Sequence, residues 1–456
     1  MIRLLLIAYY FPPMGGSGVQ RPLKIGKYLA KKGIQVTYLV PAIESYHVMD
    51  HTLEQELVSS EQKFRIIRVK EGIPLQSAWM SRIQAHYRTF LSTWSTQITS
   101  WFYLPDNKKG WIEPALRYVE RAHRDTPFDA VFATASPYSN LLLAAQIKKK
   151  LNLPVMMDLR DDWLKSHLIR YPTRWHNQRM ARLERETLQL ADEITVINES
   201  VKQSLLNRIP EIPIPKVLSN GYDPEDFEAA EKMIQIRNAS SASPDIEKSK
   251  DERFSSTCFH ILYNGLFYGV QQPDTFLKGI KLATKKNPEL LNVLRLHFQG
   301  DFFDRHLALA AELKLKDKIF AHGNLPHIES ISGLLQADLL WLIVPNQPHS
   351  KGHTPGKLFE YLGTLKPILG MTDKGQAYDL LTQYEASYFA DPDQPESVAT
   401  AVEQAFDHWK RKQMPVGNRQ FIQQFDRSIQ GQHLMAWIQD LVMQHNRKSK
   451  THVGVT

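Results

Sequence analysis

Two repeating patterns of apolar and polar positions alternate along this chain. Residues 3–8 and 34–40 are short apolar runs typical of buried strands, and residues 19–31 place their apolar side chains at helical spacing. The Lys-Gly pair at 32–33 is a typical helix end. The pattern therefore predicts a strand–helix–strand unit, which implies parallel strands joined by a right-handed crossover.

The same alternation continues through the chain and predicts an α/β fold. Further strands are predicted at 129–134, 154–157, 193–197, 216–218, 259–263, 294–299, 319–321 and 339–344, and near Ile368 and Tyr388. A chain of 456 residues is too long for one core and suits two domains.

A polar stretch separates the two predicted domains, 1–225 and 258–425. Residues 226–257 carry too few apolar side chains to order themselves, so we predict a linker or surface excursion there. Residues 426–446 have an amphipathic helical pattern. The basic tail, 447–456, is predicted to be disordered.

Composition narrows the class of partner. The net charge of +8 favours anionic partners, and no nucleic-acid-binding signature is present, so we predict no nucleic acid partner. The single cysteine, Cys258, excludes an internal disulfide and fits a reducing compartment. No apolar run is long enough to cross a membrane, and the N-terminus lacks a signal-peptide pattern. We expect a cytoplasmic protein.

Candidate chemistry begins with the glycine-rich loop after the first strand. Gly15 and Gly16 lie at that strand's carboxyl end, where open α/β sheets bind ligands. The glycine spacing is not that of a dinucleotide fingerprint, so a flexible turn is the alternative.

A second candidate site opens at Pro355-Gly356, after the apolar run 337–344. Lys357, Glu360 and Tyr361 lie at i, i+3 and i+4 and are predicted to share one helical face. A helix N-terminus with a lysine beside it can bind an anion, and a carboxylate one turn later can accept a hydrogen bond from a sugar hydroxyl. The alternative is an ordinary solvent-exposed face.

A charged cluster also follows the predicted strand at 154–157. Arg160 is a candidate phosphate ligand, and Asp161 is a candidate partner for an acceptor hydroxyl. The alternative is a helix N-cap formed by Asp161 or Asp162.

Two of these segments resemble one known family. Lys-Leu-Phe-Glu-Tyr-Leu at 357–362, followed by Lys-Pro-Ile-Leu at 366–369, resembles the donor-binding motif of the family-four retaining glycosyltransferases. Tyr-Tyr-Phe-Pro-Pro at 9–13, with its glycine loop, is similar to the N-terminal signature of the same family.

The resemblance implies the α/β GT-B architecture, in which two Rossmann-like domains face a central cleft and a C-terminal helix, here 426–446, returns to the first domain. It implies transfer of a sugar from a nucleotide-sugar donor to a hydroxyl acceptor, a glycan or a lipid-linked group, without a cofactor or a metal. The catalytic residues it implies are Gly15, Gly16 and Asp161. The donor-binding residues it implies are Gly265, Gly356, Lys357, Leu358, Glu360 and Arg160.

The chain departs from the family pattern at three places. Gly352 stands where many members have a second glutamate, and the segment 267–272 lacks the arginine and lysine that members commonly have. The segment 134–137 lacks a histidine. His349, Lys351 and His353 are candidates for the missing charge. A catalytically silent GT-B scaffold and a non-hydrolysing nucleotide-sugar epimerase therefore stay open as alternatives.

Residues 79–111 are rich in tryptophan and in basic residues. This composition fits either a helical insertion packed on the first domain or a segment lying in a membrane interface. An anionic surface at the inner membrane is thus a candidate partner.

Overall fold

The computed structural model describes residues 1–42, 49–59, 64–70, 104–165, 173–240, 254–267, 269–346, 352 and 354–453. The chain divides into two compact units, of which the first is Met1–Asn220 with Ser428–Thr456 and the second is Gly221–Arg427. The predicted insertion at 79–111 falls largely outside the described residues, as do His349, Lys351 and His353. None of the described helices is long and apolar enough to cross a membrane.

The first unit contains a parallel sheet of seven strands in the order β3-β2-β1-β4-β5-β6-β7. The strands are β1 (Arg3–Ile7), β2 (Gln35–Pro41), β3 (Arg65–Val69), β4 (Ala130–Ala135), β5 (Val155–Leu159), β6 (Glu193–Val196) and β7 (Lys216–Val217). The helices between them are α1 (Ser17–Lys31), α2 (His51–Ser59), α3 (Ile112–Asp125), α4 (Ser139–Leu151), α5 (Arg174–Leu188) and α6 (Glu199–Arg208).

The second unit contains a parallel sheet of six strands in the order β10-β9-β8-β11-β12-β13. The strands are β8 (Phe259–Asn264), β9 (Leu294–Gln299), β10 (Ile319–Gly323), β11 (Leu339–Ile343), β12 (Ile368–Met371) and β13 (Ser387–Ala390). The helices are α7 (Pro224–Ser240), α8 (Asp274–Lys286), α9 (Pro288–Val293), α10 (Asp304–Glu312), α11 (His327–Gln336), α12 (Gly356–Gly363), α13 (Gln376–Tyr384), α14 (Pro395–Lys410) and α15 (Arg419–Ile422).

The central strands are continuous apolar runs because both faces of each sheet are covered. Leu5 and Ile7 belong to one hydrophobic cluster, whereas Leu4 and Leu6 belong to the cluster on the opposite face. Successive side chains of a strand point to opposite faces, so a strand buried on both sides has no polar alternation.

Each sheet has one point at which the strand order reverses. In the first unit this point lies between β1 and β4, and in the second it lies between β8 and β11. Loops that leave two such strands part to opposite sides, which opens a crevice at the carboxyl ends. The glycine loop after β1 and the segment from β11 to α12 each lie at such a point.

Two segments that were predicted to lack regular structure, the linker at 226–257 and the tail at 447–456, are partly helical. Residues 224–240 form α7, whose Ala230 is fully buried in a hydrophobic cluster of the second unit. The helix starts favourably, with Glu225 and Asp226 in its first turn. The last helix, α16 (Arg427–Val453), continues through most of the predicted tail.

Helix α16 completes the core of the first unit. Leu434, Ile438 and Leu441 lie in the same hydrophobic cluster as Leu4 and Leu6. A Cβ atom on Gly431 would lie 2.7 Å from the Cβ of Tyr28, so the absence of a side chain lets α16 approach α1 closely.

Candidate functional site

The second unit places α12 at its reversal point, directly after β11 and its loop. Pro355 precedes the helix without a side-chain cap, and the first turn contains no acidic residue. The positive end of the helix dipole is therefore not compensated by the helix's own side chains. This is the arrangement that binds phosphate groups in many α/β proteins.

Lys357 lies at this helix start and reaches back to the end of β8. Its Nζ donates a hydrogen bond of 2.8 Å to the hydroxyl of Tyr263. A Cβ atom on Gly265 would lie only 2.5 Å from the same Nζ, so the ammonium lies directly against the Gly265 backbone. Burial lowers the pKa of Lys357 to about 7, although the negative charge of Glu360 acts in the opposite direction.

Glycine is required where these elements meet. Gly265 has a φ of 131°, in the region that favours glycine, and its N–H donates to the carbonyl of Gln299. A Cβ atom on Gly300 would lie 2.3 Å from the Gly265 carbonyl oxygen. The loops after β8 and β9 therefore pass each other with no room for side chains.

Glu360 lies one turn after Lys357 and is half-buried. Its Oε1 is 3.9 Å from Nε2 of His327, the first residue of α11. The same His327 nitrogen lies 3.1 Å from Oδ2 of Asp226. His327 was not predicted, because nothing in its own segment signals that it faces two carboxylates.

Two neighbours in the motif are core residues. Leu358 is completely buried in a hydrophobic cluster, so its side chain packs the helix against the core, and its donor-binding role stays a prediction. Tyr361 is buried as well, so the face that it was predicted to share with Lys357 is not fully exposed to solvent. Its hydroxyl accepts the N–H of Asn264 at 2.8 Å, which ties α12 to β8.

In the first unit the glycine loop leads into α1. Gly16 precedes the helix with a φ of 93°, and a Cβ atom on it would meet nothing within 4 Å. Gly15 is buried beside it. The first turn of α1 contains no acidic residue, so this helix also presents its positive end at a reversal point.

Arg160 donates hydrogen bonds to three backbone carbonyls, and its predicted contact with phosphate stays a prediction. Its Nε donates to the carbonyl of Ala135 at 2.7 Å, and its two terminal nitrogens donate to the carbonyls of Ser136 and Gly18, each at 2.8 Å. Three of the five guanidinium N–H groups thus join the loop after β4 to the start of α1. Burial lowers the pKa of Arg160.

The two acidic residues that follow have distinct environments. Asp162 forms a bidentate ion pair with Arg208, at 2.9 and 3.0 Å, and accepts the N–H of Lys165. Asp161 is half-buried, and no described residue donates a hydrogen bond to its carboxylate. Asp162 therefore closes a turn and pairs with Arg208, whereas Asp161 stays a candidate for contact with an acceptor.

The sequence analysis did not predict a buried ion pair between Arg21 and Asp158, two residues before Arg160. Asp158 on β5 is fully buried and accepts hydrogen bonds from Arg21 at 2.7 and 2.9 Å. The hydroxyls of Thr134 on β4 and Thr195 on β6 donate to the same carboxylate. Arg21 also donates to the carbonyl of Leu218 at 2.8 Å, which links α1 to strands across the sheet.

Asp106, in the loop before α3, joins that loop to the start of α4. Asp106 accepts hydrogen bonds from the N–H and the hydroxyl of Ser139, at 3.0 and 2.6 Å, and so caps the start of α4. Trp111 is fully buried and packs edge-on against Tyr9.

Comparisons with known proteins show what this chain resembles in sequence and in fold. The sequence profile of Glycosyltransferase Family 4 matches residues 20–226, a range that excludes both the glycine loop and the Lys357 motif. A comparison with curated proteins finds no match. Residues 20–226 are thus similar in sequence to that family.

Solved structures share the fold over nearly the whole chain. A glycosyltransferase from Rickettsia africae ESF-5 is 13% identical, with a TM-score of 0.61 over 97% of this chain and 98% of that chain. An α,α-trehalose-phosphate synthase (UDP-forming) from Burkholderia vietnamiensis is 10% identical, with a TM-score of 0.59 over 97% and 100%. A UDP-GlcNAc 2-epimerase from Methanocaldococcus jannaschii is 15% identical, with a TM-score of 0.55 over 96% and 99%. The predicted α/β fold with two Rossmann-like domains of the GT-B type is confirmed.

We expect Asp158→Asn to lower the free energy of unfolding by about 3–5 kcal/mol, because it leaves the Arg21 guanidinium buried without a counter-charge. Burial raises the pKa of Asp158, but Arg21 and the threonine hydrogen bonds outweigh it and hold that pKa below its usual range. The ion pair therefore stabilises the fold above the ordinary carboxyl pKa, and the stabilisation is lost as the pH falls below it.

Urea denaturation at pH 7 measures this effect. The matched control is Glu113→Gln, which breaks an exposed ion pair with Arg117 at 3.3 Å and should cost less than about 1 kcal/mol. Equal losses for the two variants would contradict the expectation.

Proposed function

We propose that the protein transfers a sugar from a nucleotide-diphosphate-sugar to a hydroxyl acceptor, with retention at the anomeric carbon. Two findings support this proposal: residues 20–226 match the profile of Glycosyltransferase Family 4, and the chain has the GT-B fold. The second unit binds the donor and the first unit binds the acceptor. The observation that carries the proposal is the position of Lys357 at the uncapped start of α12, against the Gly265 backbone, with Glu360 one turn later.

Transfer requires stabilisation of the leaving diphosphate as negative charge develops on it. The Lys357 ammonium and the N-terminal dipole of α12 supply positive charge at one place, and Gly356 lets the helix start approach the phosphates. These groups allow a mechanism that needs neither a metal nor a cofactor. Glu360 accepts hydrogen bonds from the donor ribose, and His327 beside it limits the positions of its carboxylate.

The acceptor side is assigned to the loop after β1. Gly15 and Gly16 allow close approach of the reacting groups, and the Asp161 carboxylate orients the acceptor hydroxyl. We propose a glycan or lipid-linked acceptor at an anionic membrane surface. The net charge of +8 supports that location, as does Trp175, which is 61% exposed near the start of α5, a helix that also contains Arg174 and Arg179.

Donor turnover tests the proposal directly. Incubation of a nucleotide-sugar with an acceptor should release the nucleoside diphosphate and form a glycoside. An epimerase would interconvert the sugar while it stays attached to the nucleotide, and the fold shared with epimerases makes this the informative alternative. That product, or no turnover of any common nucleotide-sugar, would contradict the proposal.

We expect nucleoside diphosphate binding at pH 8 to take up close to one proton. With a pKa of about 7, Lys357 is mostly neutral at pH 8 before binding, and a bound diphosphate favours the ammonium. Isothermal titration with UDP, GDP and ADP, in two buffers of different ionisation enthalpy, gives the number of protons taken up.

Lys357→Met should abolish the proton uptake and weaken binding by about 10-fold or more, as expected for a lost charged hydrogen bond. The control is Lys374→Met, which removes an exposed lysine of the same unit and should change neither quantity. Unchanged binding by the Lys357 variant would show that the donor site lies elsewhere.

We expect Glu360→Ala to remove discrimination against deoxyribose nucleotides. The parent protein should bind a ribonucleoside diphosphate about 10-fold more tightly than its 2′- or 3′-deoxy analogue, because a ribose hydroxyl donates to the carboxylate. The variant should bind both equally. Glu385→Ala, in the turn after α13, is the control. Discrimination that survives in Glu360→Ala would exclude the ribose role.

A further inference from the structure

Tyr263 occupies the centre of a hydrogen-bond group behind Lys357. Its hydroxyl oxygen lies 2.8 Å from Nζ of Lys357 and 2.6 Å from Nε2 of Gln271, both of which are donors. The hydroxyl donates its own proton to the carbonyl of Leu266 at 3.2 Å. A phenol offers one donor and two acceptor sites, so this oxygen uses its whole capacity.

Packing fixes the ring that carries this hydroxyl. Tyr263 is 1% exposed and stacks on Phe267, with ring centroids 4.4 Å apart and planes within 9°. Trp341 contacts it at 4.8 Å and is itself stacked on Phe276 at 3.9 Å. The phenol therefore has one available position, and the oxygen is a fixed point in the second unit.

Gln271 selects the direction of the phenol proton. It is 7% exposed, and its amide N–H can only donate, so the Tyr263 oxygen must accept there. The remaining lone pair faces the Lys357 ammonium. The hydrogen bond from Gln271 thus leaves one lone pair of the Tyr263 oxygen to accept from the Lys357 ammonium.

We propose that Tyr263, oriented by Gln271, is a positioning residue that holds the Lys357 ammonium beside Gly265 for contact with the donor diphosphate. The inference rests on the proposed function in one respect only, that Lys357 contacts the diphosphate. The hydrogen bond between Tyr263 and Lys357 is present in the free protein.

A lysine needs such a fixed acceptor more than an arginine does. Its side chain is a flexible stem with a point charge, whereas a guanidinium is a rigid fork. Lys357 is also poorly hydrated, so each hydrogen bond to its charged form favours protonation. Loss of the Tyr263 oxygen both frees the stem and moves the pKa of Lys357 to a lower value.

Tyr263→Phe tests the hold because it keeps the stacked ring and removes only the oxygen. In the free full-length protein, the rate of Lys357 acetylation by acetic anhydride, followed by mass spectrometry against pH, reports its pKa. We expect a midpoint near 7 in the parent and a more acidic midpoint in Tyr263→Phe. Gln271→Leu should shift it in the same direction by a smaller amount.

Nucleotide binding tests whether a lower pKa of Lys357 weakens the affinity for nucleoside diphosphates. If the pKa falls by one unit, UDP, GDP or ADP binding that needs the ammonium should weaken about ninefold at pH 8 and about twofold at pH 6, since affinity scales with the competent fraction. In a Lys357→Met background, Tyr263→Phe should have no further effect. The control is Tyr388→Phe, which removes a hydroxyl 2.7 Å from Nδ1 of His408 in the same unit and should leave both measurements unchanged.

The outcomes separate the two proposals. An unshifted acetylation midpoint in Tyr263→Phe and Gln271→Leu, or nucleotide affinity that is unchanged in Tyr263→Phe at both pH values, overturns the positioning role. A shifted midpoint with nucleotide binding that does not depend on Lys357 supports the hold on Lys357 and overturns the donor site.

Discussion

The parallel direction of every strand is the constraint on which the site depends. Parallel strands bring all their carboxyl ends to one edge of a sheet, and a reversal of strand order opens a crevice there. In the second unit this brings Gly265, after β8, against Lys357, which the chain reaches only after β9, β10 and β11. The two residues are 92 positions apart in sequence, yet the topology leaves a methyl group no room between them.

Buried charge is used differently in the two units. In the first, Arg21 and Asp158 neutralise each other, and hydroxyls and carbonyls occupy their remaining hydrogen-bonding positions, so the pair is committed to the fold. In the second, the partners of Lys357 include a neutral phenol, and burial acts on its ammonium without a bidentate counter-charge. A saturated pair stabilises a structure, whereas a desolvated cation of this kind favours an incoming anion.

The sequence predicted the elements that have a local signal. Twelve of the strands correspond to apolar runs, but β3 was not predicted because its Arg-Ile-Ile-Arg-Val pattern is that of a partly exposed edge strand. Lys357 and Glu360 were found from helix spacing and from a motif. Tyr263, Gln271 and His327 were not, because their roles depend on neighbours distant in sequence. Helix α7 was not predicted because its composition is polar. One buried face, which contains Ala230, packs it against the second unit.

The return of α16 to the first unit has a consequence for synthesis of the chain. Leu434, Ile438 and Leu441 lie in one hydrophobic cluster with apolar residues of β1, which is made long before them. The whole second unit is translated before these three residues exist. At about 5–20 residues per second, the part of this core that α16 covers would stay exposed for roughly 10–40 s. The first unit therefore completes this part of its hydrophobic core only after α16 has been made.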